Sequence, residues 1–136
     1  MSAERNKQLE RIMEALAQGD RKPFADAMAD DFAWIVPGSG VWSGEWRGKE
    51  TVRSQLIAPL FAQFQGTYTN RAHRILADAD YVVVQCTGHV LTKRGDTYSN
   101  DYCLVCRFDG GKLKELTEYM DTALAERMLE APRMIA

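Results

Sequence analysis

Hydrophobic residues recur with a helical period in the first half of the chain and with a strand period in the second. Leu9, Ile12, Met13 and Leu16 follow the i, i+3, i+4, i+7 spacing of one helix face, with Glu10, Arg11 and Glu14 opposite. Gly19 ends that helix and Asp20 is placed to cap a second. Pro23 is tolerated in a first turn, Phe24 and Met28 share a face, and Asp30-Asp31 is predicted to close this short helix. Residues 32–36 read as a strand stopped by Pro37-Gly38-Ser39-Gly40. Residues 41–48 read as a Gly- and Trp-rich loop holding a short hairpin. Residues 49–64 return to a helical stripe of Val52, Leu56 and Leu60, flanked by Ile57, Phe61 and Phe64. A kink or break is expected at Pro59, which removes a helical donor.

From Thr67 the period becomes two. Strands are predicted over 68–77, 81–92, 97–109 and 112–120, with turns at Asp78-Ala79-Asp80, Lys93-Arg94-Gly95-Asp96 and Asp109-Gly110-Gly111, and a final short helix over 122–129. Two helices, a strand, a third helix and a four-strand meander predict one α+β domain over 1–136. A curved antiparallel sheet wraps around a long helix in a cone, a cystatin-like α+β roll, whose open end encloses a cavity.

One residue sharpens that expectation. Glu118 lies inside the apolar, strand-like run Leu116-Thr117-Glu118-Tyr119-Met120. A carboxylate is costly to bury unless it is paired or hydrated. Two readings stand: a rim residue paired with Lys114 or Arg74, or an acid inside a hollow sheet, its pKa raised towards neutrality near Trp34 and able to exchange protons.

Composition excludes several alternatives. The net charge of −2 arises from 17 basic and 19 acidic residues, and no basic block marks a nucleic-acid footprint. Apolar runs fall far short of the roughly 20 residues a membrane helix needs. The first seven residues precede no apolar signal core, so a cytoplasmic protein is expected. Cys86, Cys103 and Cys106 are expected as free thiols. Cys103 and Cys106 match C-x-x-C, but three residues apart on a strand they face opposite sides. His73 and His89 give no metal-ligand spacing, so no metal is expected. No phosphate-cradling loop and no activated Ser or Cys nucleophile is present, and no cofactor is implied.

Ala15-Leu16-Ala17-Gln18-Gly19-Asp20 after the first helix and Ala29-Asp30-Asp31-Phe32 before the first strand fit a known order of elements. So do Gly44-Glu45-Trp46-Arg47-Gly48, Ser99-Asn100-Asp101-Tyr102-Cys103, Arg107-Phe108-Asp109-Gly110-Gly111-Lys112 and Glu118-Tyr119-Met120-Asp121-Thr122. With these pieces the chain resembles the nuclear transport factor 2-like superfamily, in its SnoaL-like, ketosteroid-isomerase-related branch. The resemblance spans nearly the whole chain and implies the fold rather than one reaction. The positions at which ketosteroid isomerases carry their tyrosine, aspartate base and protonated aspartate fall on Ile12, Val36 and Leu104, none of which handles a proton. Of three charged positions in limonene-epoxide-hydrolase-like relatives, Glu118 keeps the acid, whereas Gln85 and Thr87 do not keep theirs. The resemblance also implies a homodimer.

Alternation supplies the expected lining. If Leu104 points inward, so do Asn100, Tyr102 and Cys106; if Glu118 does, so do Lys114 near the rim, Leu116 and Met120; Val36 brings Trp34. On the neighbouring strand Val83, Gln85, Thr87 and His89 are assigned to the same face. Leu56 joins from the long helix, and Trp42 and Trp46 from the loop are expected either to grip an apolar ligand or to plug the core. Glu118 is the expected acid/base, assisted by Tyr102 and His89, and the partner is a small, mostly apolar organic molecule. Val82, Val84, Cys86, Cys103 and Val105 are assigned to the convex face, where a homodimer would cover them. A non-catalytic binding or dimerisation module of the same fold is the alternative.

Overall fold

The computed structural model describes residues 2–132; residues 1 and 133–136 of the expected domain lie outside the described residues. The apolar stripe of Leu9, Ile12, Met13 and Leu16 runs along α1 (Ser2–Ala17). Gly19, at φ 85°, turns the chain out of α1, and a side chain there would collide with Thr67 Cγ2. Asp20 Oδ1 accepts the Lys22 backbone N–H at 3.0 Å, but the N-cap of α2 (Lys22–Ala27) is Arg21, one residue later than expected, and it makes no side-chain cap bond.

Asp30-Asp31 does not close that helix. Strand β1 (Met28–Val36) already begins at Met28, which pairs with Leu113. Burial of Met28, Ala29, Phe32 and Ala33 favours an extended chain over the helical preference of the segment. The expected hairpin is present as β2 (Gly44–Arg47), antiparallel to β1 with Trp34 opposite Trp46. Residues 49–61 are helical in three pieces: α3 (Lys49–Thr51), a π-helix (Val52–Ile57) and α4 (Ala58–Phe61). Pro59 is associated with this widened register rather than with a break: Ala58 N–H bonds Arg53 O, five residues back. Helix ends at Phe61, and Phe64 instead bridges to Thr92.

Strands β3 (Thr69–Asp78), β4 (Tyr81–Leu91), β5 (Thr97–Asp109) and β6 (Lys112–Met120) form the meander, followed by α5 (Thr122–Met128). The six strands lie in the order β2-β1-β6-β5-β4-β3. All neighbours are antiparallel except β1 and β6, which run parallel. The helices and the inner sheet face enclose the core, with Phe32, Val52, Val82, Val84 and Leu113 fully buried. Among the described residues no helix is long and apolar enough to cross a membrane.

Register corrects one face assignment. In β4 the buried set is Val82, Val84, Cys86, Gly88 and Val90, paired with Cys106, Leu104, Tyr102, Asn100 and Tyr98. Val83, Gln85, Thr87 and His89 therefore have the outer parity. Val82, Val84 and Cys86 belong to the interior, not to the convex face, which carries Val83, Cys103 and Val105 at half-buried positions and Tyr119 at 51% exposed.

Candidate functional site

The sheet curls because its inner positions are large and apolar, and the helices meet it without filling the space between. The result is a cavity of about 380 Å³. Leu9, Ile12 and Met13 of α1, Leu56, Ile57 and Phe61 of the third helical run, and Leu104, Cys106, Leu116 and Met120 of the sheet form much of its wall. Trp34, Val36 and Trp42 border it as expected. Trp46 is half-buried and is not part of the wall. Ile12, Val36 and Leu104, where the resemblance would place the isomerase residues, all lie on the wall.

Among the described residues Glu118 is the one acid on that wall. Neither Lys114 nor Arg74 pairs with it; Lys114 Nζ bonds Asp31 at 2.7 Å. Its hydrogen-bond partner among the described residues is Trp34, whose indole Nε1–H donates to Oε1 at 3.3 Å. The indole is held by edge-to-face contacts with Phe24 at 5.7 Å and Phe32 at 6.1 Å. Burial raises the Glu118 carboxyl from 4.5 to about 7, and the Trp34 bond opposes that rise only in part. At neutral pH the group is thus divided between acid and base.

Near Glu118 the wall also carries three phenols, Tyr68, Tyr98 and Tyr102. Tyr102 O–H donates to the Tyr98 hydroxyl at 3.2 Å, and Asn100 Nδ2 donates to the same oxygen at 2.8 Å. Tyr68 accepts from Asn70 Nδ2 at 2.9 Å. Burial, with Glu118 charge adding to it, raises the pKa values of Tyr68, Tyr98 and Tyr102, so these phenols stay protonated donors. Leu104 pairs with Glu118 and Tyr102 with Met120, making Tyr102 and Glu118 diagonal neighbours across strands, typically about 7–8 Å apart at the backbone. Gly88 makes room for this cluster: a Cβ there would stand 2.5 Å from Tyr68 Oη and 3.0 Å from Tyr102 Cε2. Trp42 Nε1 and Asn70 Oδ1 are buried without a hydrogen-bond partner among the described residues, a state that costs about 1–3 kcal/mol per group.

Other expected site residues lie elsewhere. Asn100 sits behind the wall, where Nδ2 also bonds Asp121 O at 3.1 Å and Oδ1 accepts the Asp101 N–H; it fixes Tyr98. Gln85 is exposed, and Thr87 is tied across the outer face to His73 at 2.6 Å and Asp101 at 2.7 Å. His89 is exposed and touches the cavity only as a border residue of the outward set. The buried cysteines are unreactive in kind: burial raises Cys86 to about 12 and Cys106 further. Among the described residues no cluster of His, Cys, Asp or Glu would hold a metal.

Comparison with known proteins agrees with this architecture. The model of the SnoaL-like domain family matches residues 9–116. The fold is similar to an NTF2-like protein of unknown function from Burkholderia pseudomallei, 21% identical over 96% of this chain and 100% of the other, with TM-score 0.78. A protein provisionally assigned as a SnoaL-like polyketide cyclase from Jannaschia sp. CCS1 is 15% identical over 97% and 95%, with TM-score 0.75. TerC, co-crystallised with polyporic acid, is 19% identical over 90% and 95%, with TM-score 0.70. No curated protein matches the chain.

Proposed function

The chain belongs to the SnoaL-like domain family, and from that premise we propose that it binds a small, mostly apolar organic molecule in its cavity and moves a proton on it without a cofactor. The observation that carries this reading is Glu118: one carboxyl in an apolar wall, with a pKa near 7 and an indole N–H holding it in place. Such a group takes a proton from carbon and returns it at neutral pH. On a carbonyl compound the carboxylate would remove an α-proton, and the resulting enolate oxygen would need a donor. Tyr102, Tyr98 and Tyr68 supply protonated phenols on the same wall. Returning the proton to a different carbon completes an isomerisation; attack of the enolate carbon on a second carbonyl of the same molecule opens that C=O bond to an alkoxide, which takes the proton back from Glu118 and completes a cyclisation. A cavity of about 380 Å³ is near the small end of ligand pockets, and its facing aromatic residues favour a planar body. The polyporic acid bound by TerC and the polyketide cyclase assignment of another neighbour point the same way.

The test is deuterium incorporation. A panel of planar cyclic ketones and β-diketones incubated in D₂O should include a compound whose α-position exchanges with the protein present. Glu118→Gln should bind that compound equally well and abolish the catalysed exchange. Binding without Glu118-dependent exchange across the panel would favour the non-catalytic binding module, a reading that the apolar Ile12, Val36 and Leu104 support. A homodimer through the outer sheet face also belongs to this proposal, now centred on Val83, Cys103, Val105 and Tyr119. Sedimentation of Val105→Arg as a monomer beside a dimeric parent would support it; a monomeric parent would refute it.

A further inference from the structure

The cavity wall is apolar within and cationic at its mouth. Among the described residues its Asp, Glu, Lys and Arg members are Arg21, Lys22, Arg53 and Glu118: three cations at exposed positions and one half-buried carboxyl. Lys22 is paired with Asp26 at 2.5 Å, and Arg53 with Glu50. Arg21 has no acidic partner and no side-chain hydrogen bond among the described residues. Its guanidinium instead lies over the Phe61 ring, 3.9 Å from the centroid. The ring holds the cation in place while its N–H groups remain without an acceptor among the described residues, available to an anion. Phe61 in turn meets Tyr68 edge-on at 5.5 Å and Phe64 at 5.0 Å. The cation therefore stands at the end of an aromatic wall that leads inward.

Resting on the reading of this cavity as a ligand site, we propose that its ligand is an amphipathic carboxylate, held at the mouth by Arg21 with its apolar body inside. The body lies between the Phe24–Trp34 pair and the Phe61–Phe64–Tyr68 group, and its uncharged end reaches Glu118. The direction of entry follows from charge. A ligand carboxylate placed beside Glu118 would put two like charges in an apolar space, whereas at the mouth it meets a cation near water. Asp26 and Glu50 offset the charges of Lys22 and Arg53, which leaves Arg21 as the cation available to a ligand there.

A matched pair of probes separates the charge from the body: N-phenyl-1-naphthylamine, which is neutral, and 1-anilinonaphthalene-8-sulfonate, which adds one anion to the same rings. The unmodified protein should bind both at one mutually competitive site, the anion about tenfold tighter, as expected for one charge-assisted contact near solvent. Arg21→Met, which keeps an apolar stem over Phe61, should weaken the anion about tenfold and leave the neutral probe unchanged. Arg21→Lys should retain most of the preference, and high salt should erode it. Equal affinities in the unmodified protein, or equal effects of Arg21→Met on both probes, would overturn the amphipathic-acid assignment while leaving the ligand site intact. Failure of both probes to bind would overturn the ligand site itself, and this assignment with it.

Discussion

Glu118→Gln keeps the shape of the side chain and its bond from Trp34 Nε1 but removes the charge. The carboxyl titrates near 4.5 when free in an unfolded chain and at about 7 in the cavity. Below pH 4.5 it is protonated in both states and contributes no pH dependence. Between pH 4.5 and 7 the folded state holds a proton that the unfolded state has released, so stability falls as pH rises, and above pH 7 the loss is complete. At ~1.36 kcal/mol per pKa unit the loss amounts to about 3 kcal/mol. The glutamine variant escapes it. Urea unfolding of both proteins at a series of pH values should show nearly equal stabilities at pH 4, with the variant more stable by about 3 kcal/mol at pH 8. In thermal unfolding the same difference corresponds to roughly 10 °C for a chain of this size. A difference that does not change with pH, or a variant less stable at pH 8, would refute the placement of this charge in an apolar cavity.

Other consequences are equally direct. Gly88→Ala should destabilise the fold by about 1–3 kcal/mol through collision with Tyr68 Oη; Tyr68→Phe in the same chain should recover part of that loss in a double-mutant cycle. Asn100→Ala strips two bonds from Tyr98 and Asp121 and should cost about 2 kcal/mol in denaturant unfolding. Val84→Ala should cost about 2 kcal/mol, while Gln85→Ala should stay within about 0.5 kcal/mol; the reverse order would contradict the face assignment of β4.

Much of the fold was legible because long strands announce themselves. The inner sets of β5 and β6 followed from alternation around Leu104 and Glu118, and the expected parity holds for Asn100 to Cys106 and for Leu116 to Met120; the irregularity opposite Arg107 and Phe108 buries Leu113 instead of Lys114. β4 did not yield, because Val82, Val83 and Val84 give no alternation where the choice of face is made. Pairing Thr92 with Thr97 would place Gln85 across from Leu104; in the structure Leu91 pairs with Thr97, and Thr92 N–H turns back to Asp96 O at 2.8 Å. That slip of one residue exchanges the two faces of the strand. Tyr98 was within reach, since it shares the parity of Asn100 and Tyr102. Tyr68 and Asn70 were harder, because the irregularity between Ala72 and Arg74 breaks the alternation of β3. The cation on Phe61 depends on the meeting of α2 with the third helical run, which no local pattern encodes.

The most direct test is the titration of the Glu118 side-chain carboxyl, followed by ¹³C NMR in protein carrying labelled glutamate and assigned by the loss of its resonance in Glu118→Gln. A midpoint near 7 is expected from its burial in an apolar wall. A midpoint near 4.5 would place the group in water and remove the basis of the proposed proton chemistry.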